Sequence, residues 1–149
     1  NKSDIDKPYN VGYIAGVFDL FHIGHLNMFK RAKEQCRYLI VGVVSDEGVR
    51  LNKQAEPFVP FDERIEMVRS CKYVDEAIKL PLDFCGTRDM FKIYHFDVQF
   101  SGSDYEHDPA WLAEKEFLEK NGSTMVFFPY TQSTSSTKLK KAIENRINN

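Results

Sequence analysis

The chain has 149 residues, about the size of one ordinary domain, and we expect a single compact domain over 1–149. A hydrophobic content of 42% and an aromatic content of 13% argue against disorder, and no apolar run approaches the roughly 18 residues that span a bilayer. The formal net charge is -2, with acidic and basic residues mixed along the chain. We therefore expect no membrane span and no nucleic-acid partner, so that any anionic ligand must be bound by local groups.

The N-terminal residues and the cysteines indicate the cellular compartment. Residues 1–10 are polar and lack the apolar centre of a signal peptide, so we expect a flexible lead-in. Cys36, Cys71 and Cys85 are odd in number, far apart and never in a C-x-x-C pair, which fits neither a disulfide framework nor a zinc site. These features predict reduced thiols and a cytoplasmic protein.

Five apolar, β-branched segments recur along the chain and predict five strands. They cover residues 11–17, 38–44, 76–80, 98–100 and 125–128. Between and after them, apolar residues recur at three- and four-residue spacing, which predicts helices. These helices begin near Leu26, Phe61, Arg88, Pro109 and Leu139. Alternating strands and helices predict an α/β fold, a doubly wound parallel sheet of about five strands.

The residues that follow the first predicted strand form a histidine-rich turn. In such a sheet, ligands bind outside the carboxyl ends of the strands. His22 and His25 are three residues apart at a predicted helix start, which places both imidazoles on one face, and Gly24 between them permits close approach. Helix N-termini also present free N–H groups and a positive dipole end, so the turn predicts a phosphate site. Alternatively, one histidine is a buried structural residue and the glycine only permits tight packing.

A second polar segment, residues 130–138, lies between the last predicted strand and the last helix. Hydroxyl side chains crowd this helix start. Either Ser135 or Ser136 would cap the helix, while the other hydroxyls donate to phosphate oxygens. The alternative is an ordinary capped, hydroxyl-rich loop.

The first of these motifs resembles a known family signature. The segment GVFDLFHIGH, which ends at His25, resembles the HxGH signature of the cytidylyltransferase branch of the nucleotidyltransferases, and it contains neither a P-loop nor a dinucleotide fingerprint. Val17 replaces the small polar residue that is usual in that family. The resemblance assigns nucleotide contacts at this turn to Val17, Phe18 and Gly24.

The second motif resembles the RTxGISTT signature of the same family. The matching positions are Thr131, Ser135, Ser136 and Thr137. Tyr130 stands where the family has arginine, which removes a fixed cation, and a tyrosine could instead stack on the nucleotide base.

Residues between the motifs also match the family pattern. Lys53, in a predicted polar loop, would close over the triphosphate, or would be a solvated lysine. Arg64 has a planar fork that suits phosphate; alternatively it pairs with Glu63 or Asp62. After the fourth strand, Ser103 and Asp104 correspond to a family segment that would read the exocyclic amine of cytosine, although an ordinary strand-end turn would use the same residues.

The resemblance implies that a phosphate oxygen of a small phosphorylated alcohol attacks the α-phosphorus of CTP and releases pyrophosphate. Glycerol 3-phosphate is the first expectation, and phosphocholine, phosphoethanolamine or a phosphonate remain open. His22, His25, Lys53 and Mg²⁺ would neutralise the developing charge, with Asp19 near the metal. The family also implies a homodimer. An adenylyltransferase that uses ATP and a non-catalytic CTP-binding sensor module are the alternatives.

Overall fold

The computed structural model describes residues 4–83, 86–129 and 136–148, and its centre is a five-stranded parallel sheet. The strands are β1 Tyr9–Gly16, β2 Cys36–Val44, β3 Glu76–Leu80, β4 Val98–Gly102 and β5 Thr124–Phe128. Their order is β3-β2-β1-β4-β5, so the chain winds outward from β1 in one direction and then returns to its other side at β4. The predicted doubly wound α/β fold is confirmed.

Helices connect the strands. In the described parts of the chain they are α1 Ile23–Gln35, α2 Asp46–Lys53, α3 Phe61–Arg69, α4 Thr87–Tyr94, α5 Pro109–Lys120 and α6 Ser136–Asn148. The bounds of α5 follow from local chemistry, because Asp108 caps the Ala110 N–H, a proline occupies the first turn and Gly122 turns left-handed at φ 85°. None of the described helices combines the length and the apolar character needed to cross a bilayer.

Two local predictions were wrong. Tyr9 and Asn10 are not part of a flexible lead-in, because they belong to β1, where Tyr9 pairs with Cys36. Lys53 is not in a loop, because it is the last residue of α2. The α2 sequence contains glycine and asparagine and does not look helical, yet Ser45 caps its start and Gln54 ends it with a left-handed residue at φ 54°.

The sheet is covered on both faces, which explains its nearly continuous apolar strands. One face packs on α1 and α3 through Phe29, Ala32, Ile65 and Val68. The other face packs on α4 and α5 through residues that include Met90 and Leu118. Because helices cover both faces, a ligand can reach the sheet at the carboxyl ends of its strands.

The cysteines agree with the expectation of reduced thiols where the structure describes them. Cys36 and Cys71 are free, and burial raises the pKa of the Cys36 thiol to about 11, which keeps it protonated. Cys85 lies outside the described residues.

Candidate active site

The turn between β1 and α1 has an unusual backbone. Phe18 and Leu20 both adopt left-handed conformations, with φ of 56° and 51°, although neither is a glycine. Such conformations cost of order 1–3 kcal/mol each and persist only where the surroundings impose them. Here the Phe18 ring folds back over Gly16, where a Cβ atom would lie 2.7 Å from the ring. The tight turn thus brings the start of α1 to the carboxyl end of β1.

The two histidines cap the start of α1 reciprocally. The Gly24 N–H donates to Nδ1 of His22 at 3.0 Å, and the His22 N–H donates to Nδ1 of His25 at 3.2 Å. The rings stack with their centroids 3.9 Å apart. Both imidazoles therefore lie on one face of the helix start, as the spacing predicts. The Gly24 N–H is itself used by the cap.

These hydrogen bonds fix the protonation of both rings. Because each Nδ1 accepts a backbone N–H, the proton of each neutral imidazole is on Nε2. Burial lowers the pKa of His22, and burial followed by the neighbouring His22 ring lowers the pKa of His25 to about 3, against an opposite effect of Asp19. At neutral pH the pair therefore offers two uncharged Nε2–H donors that the caps do not use.

Asp19, in the turn between β1 and α1, contacts both the 58–59 segment and helix α6. Its carboxylate accepts the Phe58 N–H and the Val59 N–H, each at 2.9 Å, and pairs with the Lys140 ammonium at 2.8 Å. Burial by itself raises the pKa of Asp19, but the hydrogen bonds from Lys140, Phe58 and Val59 outweigh this and lower it. Asp19 is 2% exposed, and its carboxylate is used by these contacts within the protein.

A protein-held metal does not fit these residues. The predicted Asp19 ligand is committed to two backbone N–H groups and Lys140. In the described ranges, no three His, Cys, Asp or Glu side chains come together in a way that could hold a metal ion. The predicted role of Asp19 near a metal is therefore not supported by its contacts.

Arg64 lies inside the protein, beneath the carboxyl ends of β1 and β2. Its guanidinium donates to the carbonyl oxygens of Val59, Val17 and Val44 and to Asp46, at distances of 2.6 to 2.9 Å. The predicted partner, Glu63 or Asp62, is therefore wrong. The side chain is fully buried, so its donors face protein acceptors and not a bound phosphate.

The structure describes only some of the other predicted residues. Ser103 and Asp104 form a short 3-10 turn directly after β4, where Asp104 is exposed, and Lys53 is exposed at the end of α2. Ser136 begins α6, and Thr137 is exposed in its first turn. Tyr130, Thr131 and Ser135 lie outside the described residues. The roles assigned to these residues stay predictions.

Sequence reasoning assigned no role to two charged residues of this region. Asp46 pairs with Arg64 and also accepts the Phe61 N–H at 3.2 Å, which fixes the start of α3. Lys140 pairs with Asp19 from the first turns of α6. Asp46 has a local signal, since it follows the end of β2, whereas Lys140 looks like any lysine of an amphipathic helix.

Comparison with known proteins identifies the family. A model of cytidylyltransferase-like proteins matches residues 13–142. The chain therefore belongs to the cytidylyltransferase-like family, and it is an enzyme of the nucleotidyltransferase class. The predicted membership of the cytidylyltransferase family is confirmed.

Individual relatives carry different names. The chain is 37% identical over 139 residues to an FAD synthase of Thermococcus kodakarensis, covering 90% of this chain and 89% of that protein. It is 41% identical over 138 residues to an ethanolamine-phosphate cytidylyltransferase of Dictyostelium discoideum, but covers only 38% of that protein against 91% of itself. It is 32% identical over 128 residues to a glycerol-3-phosphate cytidylyltransferase of Bacillus subtilis, covering 86% of this chain and 92% of that protein.

A solved structure shares the same architecture. A lipopolysaccharide core biosynthesis protein from Thermoplasma volcanium superposes with a TM-score of 0.67 at 25% identity, over 85% of this chain and 99% of that chain. The parallel sheet and its connections are thus those of a known structural group.

Proposed function

We propose that this protein transfers CMP from CTP to a small phosphorylated alcohol and releases pyrophosphate. The observation that carries the proposal is the stacked pair of His22 and His25, whose Nε2–H donors lie together at a helix start beside the carboxyl end of the central strand. Two such donors and a positive helix dipole match the oxygens of a polyphosphate. Family membership supports the reaction class.

In this mechanism the protein supplies position and electrostatic stabilisation and no nucleophile. A phosphate oxygen of the acceptor attacks the α-phosphorus of CTP in line, the new P–O bond forms, and the bond to the leaving pyrophosphate breaks. His22 and His25 donate to oxygens whose negative charge grows during the displacement. Because both rings are neutral in the free protein, binding requires no prior protonation.

The acceptor is proposed from the chemistry of the relatives. Glycerol 3-phosphate stays the first choice, since the glycerol-3-phosphate enzyme of Bacillus subtilis matches this chain over 92% of its length. Phosphoethanolamine is the next choice because of the relative from Dictyostelium discoideum. Phosphocholine and phosphonates complete the panel.

A second candidate is adenylyl transfer from ATP. The observation that favours it is the 37% identity to an FAD synthase, a name that denotes formation of a flavin adenine dinucleotide, over nearly the whole of both chains. The histidine pair suits either triphosphate, because it would bind phosphate oxygens and not the base. Discrimination between bases falls to other residues, for which Ser103, Asp104 and Tyr130 remain proposals.

Magnesium and a homodimer also remain proposals. Mg²⁺ keeps several waters and is often held largely by substrate phosphates, so we place it with the triphosphate and assign it no protein ligand among the described residues. Light scattering at several protein concentrations tests the dimer.

The deciding experiment measures pyrophosphate release with MgCl₂ for CTP and ATP, each against glycerol 3-phosphate, phosphoethanolamine, phosphocholine and flavin mononucleotide. We expect release with CTP and one phospho-alcohol. Release only with ATP and flavin mononucleotide would replace the proposal by the adenylyltransferase. Tight CTP binding in calorimetry without release from any pair would favour the sensor module.

A further inference from the structure

Helix α6 is attached to the protein by few buried groups. Among its described side chains, from residue 137 to 148, Leu139, Lys140 and Ile143 are half-buried, and the remainder are exposed. Leu139 borders an apolar cleft of about 320 Å³ that it shares with Phe18, Leu20, Phe21, Val59, Arg64 and Met67. Apolar packing between α6 and the β1 turn is therefore incomplete, so a specific polar contact between them can add to the stability of their arrangement.

Lys140 makes that contact. Its ammonium lies 2.8 Å from Oδ2 of Asp19, in a pair whose side chains are 26% and 2% exposed. The same ammonium lies 5.4 Å from the centre of the Phe58 ring, and the backbone N–H of Phe58 also donates to Asp19. A charge-assisted hydrogen bond to a desolvated carboxylate is stronger than a surface ion pair.

The position of Asp19 in the chain connects this contact to the active site. Asp19 lies between the two left-handed residues, Phe18 and Leu20, in the turn that leads to His22. Lys140 lies four residues after Ser136, at which α6 begins. One ion pair thus joins the histidine turn to the helix that follows the hydroxyl-rich segment.

We propose that Lys140 is a positioning residue, which acts through Asp19 to hold the start of α6 against the histidine turn so that both can bind one triphosphate. The role rests on the proposed function for its consequence in nucleotide binding. Loss of the ion pair leaves the histidine caps intact but frees α6 to move away from the turn. The effect therefore falls on nucleotide affinity more than on the chemical step.

The test compares Lys140→Met, which keeps the apolar stem and removes the charge, with Lys140→Arg, which restores it. Lys141→Met is the matched control, because Lys141 is an exposed lysine of the same helix. Hydrogen exchange of the α6 amides is measured in the ligand-free protein, and KM and kcat are measured for the active triphosphate, with the Kd from calorimetry for CTP and ATP.

For Lys140→Met we expect α6 exchange to accelerate about tenfold and the KM or Kd of the nucleotide to rise about tenfold, with kcat changed much less. Lys140→Arg should recover most of both effects, and Lys141→Met should resemble the wild type. Equal nucleotide affinity in Lys140→Met and wild type would overturn the positioning role alone, whatever the exchange shows. A wild-type protein that binds neither CTP nor ATP would overturn the proposed function and this role together.

Discussion

Two nitrogen-rich groups lie near the carboxyl end of the central strands, and they differ in what their donors contact. The Arg64 guanidinium carries a full positive charge, yet it is buried and donates to three carbonyl oxygens and Asp46. The histidine pair is neutral, but its caps use only the Nδ1 atoms. A formal charge is thus a poor guide to a phosphate site, because what matters is whether the donors are still available to a ligand.

The largest expected effect concerns Arg64 and tests the structural half of this comparison. Arg64→Met removes the guanidinium that donates to the carbonyl oxygens of Val17, Val44 and Val59, and it leaves Asp46 without its ion-pair partner. We therefore expect the free energy of unfolding to fall by about 3–5 kcal/mol. Urea denaturation measures it. Arg69→Met is the matched control, since Arg69 forms an exposed pair with Glu66 whose loss should cost below about 1 kcal/mol.

Arg64→Lys sharpens the result. A lysine keeps the charge but lacks the planar fork of the guanidinium. We therefore expect the Arg64→Lys variant to lose a large part of the same free energy of unfolding. A stable, folded Arg64→Met variant that had lost only nucleotide binding would show instead that Arg64 serves the ligand.

The next largest effect concerns the histidines. His22→Ala or His25→Ala should lower turnover by about a hundredfold or more, which corresponds to about 2.7 kcal/mol, because each removes a donor to the displaced phosphates. His22→Asn and His25→Gln are the controls for the helix cap, since these residue types keep an acceptor at the N-cap and third positions. Steady-state rates near those of the wild type in both alanine variants would contradict the proposed mechanism.

The smallest expected effect is the pH dependence of stability. The folded-state pKa of His25 is about 3, below its ordinary value of 6.5, so the unfolded state binds more protons between these values. Stability is therefore fully present above pH 6.5 and is lost as the pH falls towards 3, with a loss on the order of 2 kcal/mol by pH 5 from this residue. Urea unfolding of wild type and His25→Gln at pH 7.5, 6 and 5 checks it.

In that comparison the variant should show a shallower decline, because glutamine does not titrate. Parallel curves for the two proteins would mean that His25 is not buried in its neutral form, and that the reciprocal cap is wrong.

Sequence patterns predicted the elements whose signals are local. The five strands and the capped helix α5 were confirmed because apolar periodicity and the Asp108–Pro109 start act within a few residues. Helix α2 was missed, since its glycine and asparagine oppose its helical form, which depends on Ser45 and on the burial of Val49. The placement of both imidazoles on one face was predicted from the spacing of His22 and His25 at a helix start, whereas the stacking of the two rings was not predicted.

By itself, therefore, the sequence determined the α/β architecture, the family and the placement of both histidines on one face of a helix start. Only the tertiary structure decided what Arg64, Asp19 and Lys140 contact. Arg64 meets a carbonyl 47 residues away, and Asp19 accepts an N–H 39 residues away. No residue pattern encodes such contacts, because which donors are used up depends on which loops the folded sheet brings to its carboxyl edge.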